Sequence, residues 1–202
     1  MQIRFVGTVF FLLTAALARN ADGGEIVVLP SARVQFEVPP GWHAVGSSAV
    51  ADSLERVRFS DAEVNRYLRE RKRLPKLAFT KHPPDFPSLN PTLQVYSVTG
   101  PYDPKDIVSS TLKQAARLDA FKIVEATRTY PIPRRSAATA QATFTMGSQN
   151  SGQTFRVRAR TLVVGDGTEA VVFDLSCPVT GDDSSDVEWK RLLASIGPRD
   201  PH

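Results

Sequence analysis

Strict alternation of apolar and polar side chains limits the possible folds of this chain more than any other feature. Ala138, Ala140, Ala142, Phe144 and Met146 alternate with Thr139, Gln141, Thr143 and Thr145. Phe155, Val157, Ala159 and Thr161 then alternate with Arg156, Arg158 and Arg160. Successive side chains of a strand point to opposite faces, so each run predicts a half-buried strand. A strand over Phe121–Tyr130 precedes them and another over Ala170–Cys177 follows, entered through the hairpin signal Asp166-Gly167. Short connections between consecutive strands demand antiparallel pairing.

The upstream half mixes both periods. Val34, Phe36 and Val38 alternate with Arg33, Gln35 and Glu37; Pro39-Pro40-Gly41 stops that strand and Trp42 opens a shorter one. Ser60-Asp61-Ala62-Glu63 fits a capping box, and Val64, Tyr67 and Leu68 follow at helical spacing, predicting a helix that closes in the basic run Arg69–Arg73. Strands are expected at Lys76–Lys81 and Thr92–Val98. Asp103-Pro104 reads as a cap with proline at the first helical position, and Val108, Leu112, Ala115 and Ala116 carry that helix to about Leu118. A last helix starts at the capping box Ser185–Glu188, buries Trp189, Leu192, Leu193 and Ile196, and ends at Gly197-Pro198. The order predicts an α+β fold, a largely antiparallel sheet flanked by helices on both faces or on one face plus an edge.

The amino terminus is expected to be removed. Arg4 precedes an apolar run from Phe5 to Leu17, and Ala16-Leu17-Ala18 places small residues where a signal peptidase reads them. The run falls short of the ~20 residues a membrane-spanning helix needs, and polar residues follow at once. The expected organisation is therefore a cleaved signal over 1–18, a flexible segment over 19–27, one domain over 28–197 and a tail over 198–202, without a membrane span after cleavage. Export places the protein in a periplasm or outside the cell. With 202 residues, 42% of them apolar and a formal charge of +4, the chain can bury a core without metal or disulfide and is neither disordered nor polytopic. The lone cysteine, Cys177, sits among Phe173, Leu175 and Pro178 and reads as a core thiol without nearby charge.

No catalytic set emerges. His43, His82 and His202 lack zinc-binding spacing, and there is no Gly-x-Ser-x-Gly elbow or Ser-x-x-Lys. Gly165-Asp166-Gly167 has a hairpin context rather than the helix start a phosphate loop needs. Asp182, Asp183 and Asp186 lack calcium-loop spacing and precede a helix, where acids favour the dipole. No enzyme activity and no cofactor is expected. Two basic features remain. One is the set Arg66, Arg69, Arg71, Lys72, Arg73, Lys76 and Lys81, offset by Glu63 and Glu70. The other is the outward row Arg156, Arg158 and Arg160, about 7 Å apart along one strand face. This row is the candidate partner-binding surface, suited to an anionic surface or acidic protein. Its alternative is a solvated face whose arginines pair with Glu169 or Asp174. Nucleic acid is a poor partner for an exported chain without interleaved aromatics.

Phe36-Glu37-Val38-Pro39-Pro40-Gly41-Trp42 resembles the closing strand of PsbP-like proteins. The Asn90-Pro91-Thr92-Leu93-Gln94-Val95 strand with a helix behind it, the Ala/Thr strand, the arginine strand, the Gly-Asp-Gly hairpin and the terminal helix extend that likeness over residues 28–197. The resemblance implies an α-β-α sandwich, shared with the photosystem II extrinsic protein, a yeast Ran-binding protein and exported bacterial proteins. It also implies a non-catalytic accessory or assembly role, with the 60–73 helix an insertion relative to the shortest members. The leading expectation is an exported accessory protein of the cell envelope that binds an envelope protein or anionic surface. The alternatives are a carrier or sensor holding a small ligand between sheet and helix, and a hydrolase assembled from scattered residues.

Overall fold

The alternating runs form the four long strands of the protein's main sheet, and their two faces set the layers. The structure is a computed structural model that describes residues 17–19, 24–46, 57–69, 75–83, 86, 88–148, 152–179 and 184–198. In chain order its elements are β1 (Leu17–Arg19), β2 (Glu25–Leu29), β3 (Val34–Glu37), β4 (His43–Val45), β5 (Val57–Arg58), α1 (Ala62–Arg69), β6 (Leu77–Thr80), β7 (Thr92–Thr99), α2 (Pro104–Ala115), β8 (Asp119–Thr129), β9 (Ser136–Ser148), β10 (Thr154–Gly165), β11 (Glu169–Pro178), α3 (Ser184–Ser195) and β12 (Gly197–Pro198). The large sheet runs β4-β6-β7-β11-β10-β9-β5, with β8 also paired to β9, and a four-stranded sheet runs β1-β2-β3-β12. Every pairing is antiparallel.

Register assigns each face its cover. Ala138, Ala140, Val163, Ala170 and Val172 share one face and pack with Val108 of α2. The small side chains of β9 let that helix approach closely. Ala137, Leu162, Val164, Val171, Phe173 and Leu175 point the other way, into a larger core with Val27, Val34 and Phe36 of the small sheet, Trp189 and Leu192 of α3, and Ile196 just after it. Phe36 meets Phe173 edge to face at 5.1 Å between ring centres, tying the two sheets together. The α+β sandwich read from the sequence is the architecture observed, with helices on both faces.

Several local expectations shift. Residues 25–27 lie in a strand rather than in a flexible segment, with Val27 fully buried. Gly24 is locked as well. Its N–H donates to Glu37 Oε1 at 2.7 Å, and a Cβ there would overlap the Val38 carbonyl. Leu17 and Ala18, at the end of the expected signal, pair with Val27 and Ile26; residues 1–16 and 20–23 lie outside the described residues. The cap of α1 is Asp61 rather than Ser60. Its Oδ1 accepts from the N–H groups of Glu63 and Val64 at 2.8 and 3.1 Å, while Ser60 bonds to Asp119. Residues 70–73 of that expected helix lie outside the described residues. Pro198, expected in the tail, pairs with Val34.

The β10–β11 turn follows the Asp-Gly signal. Gly167 adopts φ +96°, and Asp166 Oδ1 accepts from the backbone N–H groups of Thr168 and Glu169 and from the Thr168 hydroxyl, each at 3.0 Å. Arg135 adds an ion pair at 3.2 Å. The Glu169 N–H is the chief cause holding the Asp166 carboxyl down to about 2 against partial burial, with the Thr168 and Arg135 bonds assisting. A depressed carboxyl contributes stability above its ordinary pKa and loses it as pH falls towards the folded value. Asp166→Ala is expected to cost about 1 kcal/mol at pH 7, since partial exposure screens the charge. In urea titrations the difference from the parent closes between pH 3.8 and about 2; a pH-independent difference contradicts this account.

Candidate functional site

The arginines of β10 lie on the face covered by α3, and their exposures diverge along the strand. Arg156 is exposed, the Arg158 side chain keeps 25% of its accessible surface and Arg160 keeps 1%. The expected outward row is therefore corrected at Arg160, which is sealed beneath the first turn of α3. Arg158 lies opposite Cys177 and Thr143, and Arg160 opposite Leu175 and Gln141, so no acid faces either arginine across a strand. The expected acids are engaged elsewhere. Glu169 accepts from Ser31 and pairs with Lys76, while Asp174 points to the α2 face and accepts from Thr161 Oγ1 at 2.6 Å.

Asp186 supplies the counter-charge from α3. Its Oδ1 lies 3.4 Å from Arg158 Nη1 and pairs with Arg160 Nη2. Arg160 also donates from Nε to Gln141 Oε1 at 3.3 Å, and from Nη1 to Ser185 Oγ at 3.4 Å and to Cys177 Sγ at 3.5 Å. The Cys177 thiol in turn donates to the Arg158 carbonyl at 3.6 Å. Cys177 is buried, as its apolar neighbours predict, yet the guanidinium beside it corrects the expectation that no charge lies near. Burial draws Arg160 below the ordinary arginine range; Cys177 and Glu125 oppose that trend and Arg158 adds to it. Guanidinium basicity is high enough that Arg160 stays charged at neutral pH.

Among the described residues Asp186 thus engages both Arg158 and Arg160, and the arginine row continues to solvent at Arg156. Register places Lys122 of β8, Thr143 and Arg158 in one row, and Asp119, Thr145 and Arg156 in the next. Lys122 and Arg156 are exposed. This arrangement can hold an anionic group by charge-assisted hydrogen bonds, and among the described residues it presents no nucleophile with a base. Lys122 and Asp186 escaped sequence reasoning: bulges in β8 hide the register of the first, and the second arrives from an element distant in sequence.

The other candidates do not assemble. His43 is exposed on β4, and His82 stacks on Phe86 with ring centres 4.1 Å apart; His202, Asp85, Asp182 and Asp183 lie outside the described residues. Among the described residues no three His, Cys, Asp or Glu side chains converge as metal ligands. In the first basic feature, Arg66 pairs with Glu63, Lys76 with Glu169 and Lys81 with Glu188. A surface hollow of about 140 Å³, lined by Ile26, Gln35, Phe36, Glu37 and Ser195, is smaller than the ~300 Å³ expected of a small-ligand site. No helix among the described residues is long and apolar enough to cross a membrane.

No family model and no curated protein matches the chain. Solved structures do. The chain aligns with the cyanobacterial PsbP protein CyanoP of Synechocystis at TM-score 0.52 and 12% identity, covering 96% of this chain and 98% of that one. It also aligns with LpqN of Mycobacterium tuberculosis, described as involved in cell envelope biogenesis, at TM-score 0.48 and 13% identity over 91% and 90% of the two chains. The Ran-binding protein Mog1p of Saccharomyces cerevisiae follows at TM-score 0.47 and 10% identity over 93% and 97%. A Bacteroides thetaiotaomicron protein matches at TM-score 0.48 and 14% identity over 88% of this chain, which spans 49% of its length. The protein has the PsbP-like fold, which rests on the cyanobacterial structure, as the sequence resemblance implied.

Breaking a buried ion pair costs more than replacing it with apolar groups, because the remaining charge is stranded. Asp186→Ala is expected to lower stability by about 2–3 kcal/mol, and Arg160→Met by less than about 1.5 kcal/mol. The double variant should be more stable than Asp186→Ala alone. Equal losses from both single substitutions, read from urea unfolding, contradict a buried charge at Arg160.

Proposed function

We propose that this chain is an exported, non-catalytic accessory protein of the cell envelope that binds an anionic partner through the open rim of the β8–β10 face. The observation that carries the reading is the gradient along β10. Arg160 and Arg158 are consumed in seating α3, whereas Arg156 is exposed and, among the described residues, forms no ion pair. The partner-binding set is accordingly Arg156, with Lys122 beside it and Arg158 behind; Arg160 contributes charge but no accessible surface. The likeness to a cyanobacterial PsbP protein supports the fold, and the leader-like residues 1–18 support export.

Binding by such a rim is electrostatic and weakens as salt rises. A photo-cross-linking residue at position 156 is expected to yield an adduct in cells that Lys122→Glu diminishes and high salt abolishes. The same residue at exposed Lys113, on α2 across the sheet, should yield none. Equal labelling at both positions removes the rim from the account. Export is tested separately: the processed protein should begin at Arg19 by intact mass and amino-terminal sequencing, and a cytoplasmic protein retaining residues 1–18 contradicts it. Cleavage there removes two of the three residues of β1, leaving β2, β3 and β12 in the smaller sheet.

A further inference from the structure

The edge strand β8 lends Lys122 to the rim, and its open backbone edge has a geometry of its own. Its eleven residues pair only with β9 among the described residues, so its second row of backbone N–H and C=O groups faces outward. Ile123 and Val124 are 48% and 49% exposed, and only Val187 joins them among exposed large apolar side chains of the described residues. Register shifts occur between Asp119 and Lys122, between Ile123 and Glu125, and between Glu125 and Arg128. Bulges and charges on an edge usually deter indiscriminate pairing. Here they also produce a pattern. Asp119, Lys122, Glu125 and Arg128 oppose Thr145, Thr143, Gln141 and Thr139, which are every second residue of β9. Four charges of alternating sign therefore stand on one face of the edge at regular strand spacing, with Ile123, opposite Ala142, at the centre of the pattern.

We propose that β8 is a self-complementary docking edge that pairs with β8 of a second copy of this chain, antiparallel about a two-fold axis at the Ile123–Val124 bulge. A two-fold axis normal to a sheet preserves the faces, and it brings each position against the one equally far on the other side of the axis. Lys122 then faces Glu125 of the second copy, Asp119 faces its Arg128, and the Ile123–Val124 bulge faces its own counterpart. Every opposed charged pair is of opposite sign, and each occurs twice by symmetry. Within one chain Glu125 already pairs with Arg128 at 3.3 Å and Asp119 bonds to Ser60, so both acids are held at the surface where the second copy meets them. A foreign strand has no reason to match this order, whereas the chain's own edge does so by construction.

Sedimentation equilibrium of the protein as purified from its producing cells tests the proposal. A concentration-dependent dimer is expected, since one strand pair buries less than a standard stable interface. Lys122→Glu, which turns two attractive contacts per dimer into repulsive ones, should raise the dissociation constant roughly tenfold. Lys122→Glu combined with Glu125→Lys should return it to near the parent value, which a merely structural role for either residue does not explain. Ile123→Asp should abolish association while leaving the monomer's melting temperature near the parent's, because the side chain is half exposed. A monomer up to about millimolar concentration overturns the proposal, as does a dimer indifferent to Lys122→Glu or one that the double exchange fails to restore.

Discussion

A guanidinium with almost no accessible surface, placed in the middle of a sheet face, is the constraint around which the rest is arranged. Removing an arginine from water costs several kcal/mol unless a charge and further acceptors replace the lost solvent. Arg160 therefore fixes what lies above it: α3 must start where Asp186 and Ser185 reach down, and Gln141 and Cys177 must complete the ring of acceptors. The apolar stripe of the same helix, Trp189 and Leu192, and Ile196 just beyond its end then enter the core against the smaller sheet. Polar fixation at one end and apolar packing along the rest give the helix a single seat and a single direction.

That seat divides one strand into a buried and an open part. The same alternation that puts Leu162 and Val164 in the core puts Arg160, Arg158 and Arg156 progressively further from it. The α2 face presents a different surface: alanines and valines fill much of it, and among its polar groups Thr161 donates to Asp174 and Tyr96 to Gln94. The arginine row thus reaches solvent on one side of the sheet, at Arg156, where the cover of α3 stops.

The fold was largely legible because period-two and period-3.6 patterns are local. Ala138 through Met146 announced β9, Asp166-Gly167 its neighbouring hairpin, Asp103-Pro104 the start of α2, and Trp189 and Leu192 the buried stripe of α3. Shorter elements were not. Leu17–Arg19, Val57–Arg58 and Gly197–Pro198 are two or three residues long and owe their strand form to partners rather than to pattern. Asp61 displaced Ser60 as a cap because both are good caps, and the tertiary contact with Asp119 chose between them. The site was half legible. Alternation identified the three arginines as one face, but burial of that face depends on where a helix of later sequence comes to rest. Asp186 read only as a favourable acid in a first turn, and β8 bulges shifted Lys122 into the arginine row without a trace in its spacing.

Arg160 is a buried, charged anchor rather than one of three surface arginines. Nitrogen-detected NMR of the arginine side chains addresses it directly, by comparing the exchange of their Nε–H protons with water near neutral pH. A resolved Arg160 Nε–H that exchanges orders of magnitude more slowly than that of Arg156, at a shift typical of the charged form, is the result this structure requires. An Arg160 Nε–H that exchanges as fast as that of Arg156 contradicts it.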